Sequence, residues 1–154
     1  MQEQYFIFIL HREMYAFEAL DVLEIVDYQN ITKVPTMSKC IEGVTNIRGN
    51  LIAVVNLQQR FELDKPKVVN QVYFTILKKQ HIDKELHIAV MIDEAFEVDN
   101  IEIHDIESTP DFGTSINKRF IKNMAKYKDE YIPVLNIESL LDIQEISMLY
   151  KVEG

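Results

Sequence analysis

The sequence predicts an all-β protein made of two similar small lobes. Its apolar residues fall mostly in short runs rich in β-branched and aromatic side chains, such as Tyr5 to Leu10 (YFIFIL) and Leu51 to Val55 (LIAVV), and such runs favour strands over helices. Asn50 to Leu63 (NLIAVVNLQQRFEL) also matches Glu130 to Ile143 (EYIPVLNIESLLDI) at a constant offset of 80 positions. A strand, an asparagine cap and a short amphipathic helix occur in both segments, so we expect one such unit in each lobe.

The amino-terminal region predicts a hairpin followed by shorter elements. Tyr5 to Leu10 forms the first strand, His11 to Glu13 makes the reversal, and Met14 to Phe17 returns. Glu18 to Val26 fits one helical turn followed by a strand, although its periodicity leaves helix and strand open. Ile31 to Val34 is expected to be extended, because the proline that follows disfavours the α region. Thr36 or Ser38 is then expected to cap one short helical turn, which Gly43 would end.

The stretch from Ile41 to Phe61 predicts a second hairpin with one or two helical turns after it. Gly49 adopts positive φ without a Cβ clash and Asn50 tolerates it, so the reversal falls at Arg48-Gly49-Asn50. The apolar run after the reversal is expected of a strand covered on both faces. Asn56 is predicted to cap the helical turn, and Arg48 is expected to be exposed at the reversal.

The second half predicts further strands and one helix. The predicted strands are Val72 to Leu77, Leu86 to Ile92, Ala95 to Ile101 and Tyr131 to Leu135, with a linker at Asp64 to Lys67 and polar loops at Lys78 to Glu85 and His104 to Asn117. Phe120 to Tyr127 is open between strand and helix. Pro133 removes one ladder donor, which indicates an edge strand. Ile137 to Tyr150 has apolar residues at helical spacing, so a C-terminal helix over residues 137–150 is expected.

Composition and motifs exclude several functions. Hydrophobic residues make up 47% of the chain and charged residues 27%, as in a soluble globular protein. No apolar run approaches the ~20 residues that span a bilayer, and the net charge of −9 argues against nucleic acid or an anionic membrane surface as a partner. The single Cys40 permits no internal disulfide, which fits a reducing compartment.

The sequence also lacks motifs for metal binding, nucleophilic catalysis and phosphate binding. The four histidines and Cys40 have no metal-ligand spacing, so no metal site is predicted. The serines lack a nucleophile elbow, and there is no glycine-rich phosphate loop. The sequence therefore predicts neither an enzyme nor a cofactor.

Several blocks of the sequence resemble the CheW family of bacterial chemotaxis adaptors. The blocks are YFIFIL with MYAF after it, VLEIV at Val22 to Val26, Pro35, IEGVTNIRG at Ile41 to Gly49, LIAVVNL, VMIDEAFEV at Val90 to Val98, and YIPVLNIESLL. The G-V-x-N-x-R-G pattern before an apolar strand is the most specific, and the resemblance covers nearly the whole chain. Ala53 stands where the family usually has proline, and Asn56 stands where it often has aspartate. We interpret these two departures as small adjustments of the strand and of the helix cap.

The resemblance implies a fold and a role. The fold would be one CheW-like domain over residues 1–154, built of two packed small SH3-like β-barrels with short helices and a C-terminal helix. The lobes would cover roughly residues 1–65 and 66–145, with strands able to exchange between them. The role would be a non-catalytic adaptor that couples methyl-accepting chemoreceptors to the CheA histidine kinase. It would bind the kinase regulatory domain, the cytoplasmic receptor tip and possible further copies in array rings, in the cytoplasm and without inserting into the membrane.

The resemblance also assigns site residues. Glu24 and Arg48 match a paired acid and base, expected to face each other beside the receptor surface. The other matches are Ala89, Ala95 and Val98 near the receptor-facing groove, and Ile31, Gly43 and Val44 near the kinase-facing barrel. Competing interpretations are two unrelated exposed charges for the pair, core packing for the receptor group, and a helix stop or core packing for the kinase group.

Alternative functions remain open from the sequence. The chain could serve a parallel chemosensory or surface-motility system, or be a stand-alone relative of the CheV amino-terminal domain, since a chain ending at Gly154 leaves no room for the CheV receiver domain. In another class, it could be a β-barrel that senses a small ligand. An empty apolar cavity would favour that function, and filled barrel interiors would argue against it.

Overall fold

The computed structural model of the protein describes residues 2–35, 38–63, 72–81, 83–108, 116–141 and 145. The strands are β1 (Gln2–Leu10), β2 (Glu13–Glu18), β3 (Val22–Asp27), β4 (Ile41–Ile47), β5 (Asn50–Val55), β6 (Tyr73–His81), β7 (Lys84–Ile92), β8 (Glu94–Glu102), β9 (Ile106–Glu107), β10 (Ile121–Tyr127) and β11 (Glu130–Leu135). One single-turn helix, α1 (Leu57–Arg60), follows β5, and 3-10 turns cover Ala19–Asp21, Ile103–Asp105, Lys118–Phe120 and Ile137–Ser139. The all-β class is confirmed.

Two sheets contain the strands of the described residues, and each sheet curls into a small barrel. One sheet has the order β8-β1-β2-β11-β10-β9 and the other the order β3-β6-β7-β5-β4. In each sheet, the chain runs from one edge strand to the opposite edge and so closes the barrel. After β8, strand β9 pairs with β10 at the other edge of the first sheet. After β3, Thr32 forms a bridge with Val44 of β4 at the other edge of the second sheet. We call these the terminal barrel (β1, β2 and β8–β11) and the mid-chain barrel (β3–β7). The expected pair of SH3-like barrels is confirmed.

Each barrel combines hairpins that are distant in the sequence. The β1–β2 hairpin lies in the terminal barrel with β10–β11, and the β6–β7 hairpin lies in the mid-chain barrel with β4–β5. Two parallel contacts join them: Val134 of β11 pairs with Ala16 of β2, and β5 pairs with β7 through Ala53 and Ile88. Each barrel is therefore built from strands of both halves of the chain.

The repeated segment of the sequence forms equivalent units in the two barrels. β5 and β11 are each the second strand of a hairpin, and their burial patterns are the same. Asn56 caps α1, with its side-chain oxygen accepting a hydrogen bond from the Gln59 N–H at 3.2 Å. Asn136 caps the 3-10 turn after β11 by accepting from the Glu138 N–H at 3.1 Å. The predicted repeat is confirmed.

Strands in the middle of each barrel are buried on both faces, which explains their unbroken apolar runs. Side chains such as Ile7 of β1 and Val54 of β5 fill the interior of their own barrel. Their neighbours Phe8 and Val55 face the other way, into a core shared by the two barrels. Within the shared core, Phe61 after α1 meets Phe120 before β10 with ring centroids 5.0 Å apart. The aromatic contact thus ties the mid-chain barrel to the terminal barrel.

Three predictions about local structure are corrected. Gly43 does not end a helix: it lies inside β4 at φ 147° beside a bulge, because the Thr32 backbone approaches it too closely for a side chain. Pro133 is not on an edge strand, since β11 lies between β2 and β10. Proline is tolerated there because β11 and β2 share only one parallel residue pair, which requires few N–H donors from that side of β11. The polar loop expected at Lys78 to Glu85 is mostly strand, because backbone pairing continues through polar residues.

Other predictions fall partly or wholly outside the described residues. The linker at residues 64–67 and half of the loop at residues 104–117 lie there, and β9 occupies part of the described half. A C-terminal helix is not shown: a 3-10 turn covers Ile137–Ser139, and of residues 142–154 only Glu145 is described. Phe120 to Tyr127, left open by the sequence, contains strand β10 after a 3-10 turn.

Candidate partner-binding surfaces

Arg48 and Glu24 form an ion pair on the surface of the mid-chain barrel. Arg48 lies in the β4–β5 turn with φ 52°, next to Gly49 at φ 87°, so the left-handed pair is Arg48-Gly49 and not Gly49-Asn50. The Asn46 side chain supports the turn by accepting a hydrogen bond from the Gly49 N–H at 2.8 Å. Arg48 Nη1 lies 2.7 Å from Glu24 Oε2, with the two side chains 76% and 25% exposed. The predicted pairing is confirmed, and the arginine keeps free surface for a partner.

Ile31, Gly43 and Val44 come together where the mid-chain barrel closes. The Thr32 N–H donates to the Val44 carbonyl and the Val44 N–H donates to the Thr32 carbonyl, both at 2.8 Å. A Cβ on Gly43 would overlap the Thr32 carbonyl and touch the Ile31 side chain. Val44 is buried and Ile31 is half-buried against the barrel interior. The geometry gives this group a clear structural role in closing the barrel, and only Ile31 retains appreciable accessible surface.

The residues expected in the receptor-facing groove differ in how far they are exposed to solvent. Ala95 and Val98 lie on β8 of the terminal barrel; Ala95 is exposed and Val98 is 55% exposed. Ala89 is fully buried inside the mid-chain barrel. A buried methyl group cannot touch a partner while the barrel is closed, so the expected contact at Ala89 is corrected to core packing.

Exposed apolar side chains that the sequence did not single out lie near the Glu24–Arg48 pair in the chain. Leu20 is 84% exposed in the 3-10 turn before β3, and Leu23 and Ile25 of β3 are 43% and 39% exposed. Leu23 and Ile25 lie two residues apart on the exposed face of β3, and exposed apolar residues that adjoin on the surface are typical of a region that a partner covers. Alternation along VLEIVD does indicate one exposed face, but the sequence does not say which face it is.

A polar cleft of about 600 Å³ lies between the two barrels. Charged residues from both barrels line it, among them Glu18, Asp21, Lys79, Lys122 and Glu138. The buried Lys79 ammonium lies 2.7 Å from the Glu138 carboxylate, and Lys122 lies 2.8 Å from Glu18. Burial, and then the nearby Glu18 charge, raises the pKa of Asp21 above its ordinary value. The hydrogen bond to Glu18 raises the pKa of Lys122. These lysines are engaged in ion pairs that join elements of the fold.

Among the described residues, there is neither a candidate metal site nor a helix that could span a membrane. Among them, no group of three or more His, Cys, Asp or Glu side chains could hold a metal ion. Within the same residues, no helix is long and apolar enough to cross a membrane. Packed side chains, including Tyr5, Ile7 and Val134 in one barrel and Phe74, Ile76 and Ala89 in the other, fill the barrel interiors. Filled interiors argue against a barrel that senses a small ligand.

Comparison with known proteins gives one consistent result. Residues 4–145 match the family model of the CheW-like domain. The chain is 29% identical to the chemotaxis protein CheW of Treponema pallidum over 152 residues, which cover 96% of this chain and 87% of that protein. It is 29% identical to the chemotaxis protein CheW of Helicobacter pylori over 138 residues, 90% of this chain and 81% of that protein. The crystal structure of the scaffolding protein TtCheW from Thermoanaerobacter tengcongensis matches with a TM-score of 0.82 and 28% identity, covering 94% of this chain and 91% of that one.

Proposed function

Because this chain belongs to the CheW-like domain family, we propose that it is a non-catalytic adaptor that couples methyl-accepting chemoreceptors to the CheA histidine kinase. The proposal goes beyond the general role of a chemotaxis scaffold by naming two partners, the cytoplasmic tip of the receptor and the regulatory domain of the kinase. It also gives the chain a cytoplasmic location at membrane-associated receptor arrays, where further copies would join the array rings.

The observation that carries the proposal is the ion pair between Glu24 and Arg48. Glu24 comes from β3 and Arg48 from the β4–β5 turn, yet their side chains meet at 2.7 Å on the surface. An exposed pair of this kind contributes only ~0–1 kcal/mol to stability, so folding alone gives little reason to hold an arginine in the left-handed region at φ 52°. Charges at the rim of an interface act mainly on specificity and association rate, which is the use proposed here.

The proposed receptor surface consists of Glu24, Arg48, Ala95 and Val98. An α-helical hairpin from the receptor would supply apolar side chains for Val98 and charged side chains for the pair. The proposed kinase surface lies around Ile31, whose position depends on Gly43 and Val44 at the barrel closure. Gly43 and Val44 would therefore act by shaping this surface and not by direct contact.

A binding titration with both partners tests the proposal. The purified chain is titrated with a receptor-tip helical hairpin and, separately, with the kinase regulatory domain, and then with both together. We expect binding of each partner and a ternary complex that elutes as one species. Val98→Glu should weaken binding of the hairpin and leave binding of the kinase domain unchanged. A chain that binds neither partner would contradict the proposed coupling role.

A further inference from the structure

The hydrogen bond from the Gly49 N–H to the Asn46 side chain distinguishes the β4–β5 turn from other turns of its kind. Among the described residues, three hairpins close with a two-residue turn that is left-handed at both positions, at His11-Arg12, Arg48-Gly49 and Lys128-Asp129. The residue two positions before the turn is Ile9 in the first, Asn46 in the second and Lys126 in the third. Isoleucine and lysine side chains have no acceptor atom, so only Asn46 can accept a hydrogen bond from its turn.

The hairpin does not need this hydrogen bond in order to form. Lys128-Asp129 has φ 48° and 65°, the same hand as Arg48-Gly49 with 52° and 87°, and that turn forms with Lys126 in the place of Asn46. Asn46 is also exposed. A neutral hydrogen bond at an exposed site adds little to stability, because water competes for both of its groups. The stability of the hairpin therefore does not account for the contact.

What the hydrogen bond fixes is the backbone immediately after Arg48. The Gly49 N–H belongs to the planar peptide group that joins Arg48 to Gly49, so Asn46 holds the whole of that plane at 2.8 Å from its oxygen. The peptide group before Arg48 is held by the strand, because Ile47 pairs with Asn50. Since the planes on both sides of the Arg48 Cα are held, its side chain leaves the turn in one direction.

Arg48 depends on this support because little else directs it. The residue after it is a glycine, whose backbone samples more conformations than that of any other residue. The Arg48 side chain is 76% exposed, so packing contributes little to its direction, and an exposed ion pair such as the one with Glu24 is weak. A side chain that already points toward its partner loses less freedom on binding, which favours affinity.

We propose that Asn46 is a positioning residue of the receptor surface, which acts through the Gly49 N–H to set the direction in which Arg48 meets the receptor hairpin. The inference rests on the proposed function, in which Glu24 and Arg48 bind such a hairpin. Asn46 contributes through the arginine and not by touching the hairpin. Its effect on binding therefore exists only while the arginine is present.

A double-mutant cycle between Asn46 and Arg48 tests this inference. The full chain and its Asn46→Ala, Arg48→Asn and doubly substituted variants are titrated with the receptor-tip hairpin. Asn46→Ala should weaken binding by about 2- to 10-fold, the range expected for the loss of one hydrogen bond. In the Arg48→Asn background, the same substitution should have no further effect. Thermal melting confirms that each variant is folded.

Two further variants separate positioning from other causes. Asn46→Asp keeps an acceptor oxygen at the same place, so it should recover most of the affinity that Asn46→Ala loses. The Gly49 amide proton, followed by NMR, should exchange slowly in the wild type and in Asn46→Asp, and faster in Asn46→Ala. Lys126→Ala changes the equivalent residue before the β10–β11 turn and is the matched control, which should bind the hairpin as tightly as the wild type.

The other outcomes separate the inference from the proposed function. An Asn46→Ala variant that binds like the wild type, while Arg48→Asn is impaired, would overturn the inference and leave the Glu24–Arg48 surface intact. A loss at Asn46→Ala that is equally large with and without Arg48 would show that Asn46 contacts the hairpin itself, which also overturns the inference. A wild-type chain that binds no hairpin, or an Arg48→Asn variant with unchanged affinity, would contradict the proposed receptor surface and this inference with it.

Discussion

The carbonyl of Thr32 lies where a side chain on Gly43 would have to begin. Two hydrogen bonds between Thr32 and Val44, each 2.8 Å long, hold this approach and close the mid-chain barrel. Gly43 also has φ 147°, a conformation that residues with a Cβ rarely adopt. The glycine is therefore required by the backbone of its own barrel, whatever partner binds nearby.

Gly43→Ala should be strongly destabilising. The added Cβ overlaps main-chain atoms that cannot move without breaking the Thr32–Val44 bridge, and the backbone strain adds about 1–3 kcal/mol. We expect the free energy of unfolding to fall by more than about 2 kcal/mol, measured by urea denaturation. An unchanged denaturation midpoint would show that the barrel closes in another way.

Gly49→Ala provides the matched control for Gly43→Ala. Gly49 also has positive φ, at 87°, but nothing lies within 4 Å of the place where its Cβ would be. Only the conformational cost of about 1 kcal/mol should remain. A Gly49→Ala variant as unstable as Gly43→Ala would show that steric overlap with Thr32 is not the cause.

The sequence predicts local features of this fold better than long-range ones. Asn56 is recognised as a cap and Arg48 as an exposed turn residue because neighbouring residues determine both. Gly43 is misinterpreted as a helix stop because its requirement comes from Thr32, whose approach leaves no local signal. Pro133 is misassigned to an edge for the same reason, since the pairing of β11 with β2 joins the two ends of the chain.

The candidate partner-binding surfaces also contain features that the sequence predicts and features that it misses. The Glu24–Arg48 pairing is expected from the family resemblance, and the structure confirms it. A second ion pair, in which Lys128 Nζ lies 3.2 Å from Glu97 Oε1, is not predicted, although the offset of 80 positions relates Arg48 to Lys128 in the sequence. The two glutamates are 73 positions apart, so they fall outside that offset, although Glu24-Ile25 loosely echoes Glu97-Val98 in the sequence. The contact between Glu97 and Lys128 becomes visible only in the folded chain.

Breaking the buried ion pair between Arg60 and Glu145 should destabilise the protein. Arg60 Nη2 lies 2.5 Å from both carboxylate oxygens, with the side chains 9% and 5% exposed. Arg60→Met removes the arginine from a buried ion pair with the Glu145 carboxylate, a change that typically costs about 3–5 kcal/mol. Chemical denaturation of the variant should show a loss of this size.

Two further variants show whether burial causes the loss at Arg60. Arg60→Met combined with Glu145→Leu removes both charges, so much of the lost stability should return. Lys122→Met breaks the more exposed pair with Glu18, whose side chains are 48% and 26% exposed, and should cost no more than about 1 kcal/mol. Equal losses for Arg60→Met and Lys122→Met would contradict the assigned role of burial.

Tyr5 should contribute to the alkaline limit of stability. Burial, with the hydrogen bond to Glu3 as a second cause, raises the pKa of Tyr5 to about 12. Since this value lies above the ordinary tyrosine pKa of 10.0, the contribution to stability is fully present below pH 10 and is lost as the pH rises through 12. Wild-type stability should therefore fall more steeply than that of Tyr5→Phe between about pH 10 and 12. Parallel slopes in denaturation experiments across this range would contradict the assignment.

Arg48 variants should separate recognition from folding. Arg48→Asn removes the charge and keeps a residue that tolerates the left-handed turn, so the free energy of unfolding should change by no more than about 0.5 kcal/mol. Binding of the receptor hairpin at this surface should weaken by about 10-fold or more, since charges in an interface can contribute 2–5 kcal/mol when their partners are desolvated. Arg48→Glu should bind more weakly still, because it also repels Glu24.

The charge-swapped variant decides whether the pair acts as a unit. Glu24→Arg in the Arg48→Glu background restores the attraction between the two positions and should recover part of the lost affinity. Titration of each folded variant with the hairpin measures this coupling, with thermal melting as the stability control. If the double variant binds no better than Arg48→Glu, the charge at position 48 acts alone. If Arg48→Asn instead melts several degrees lower with unchanged affinity, the arginine is a structural residue of its barrel.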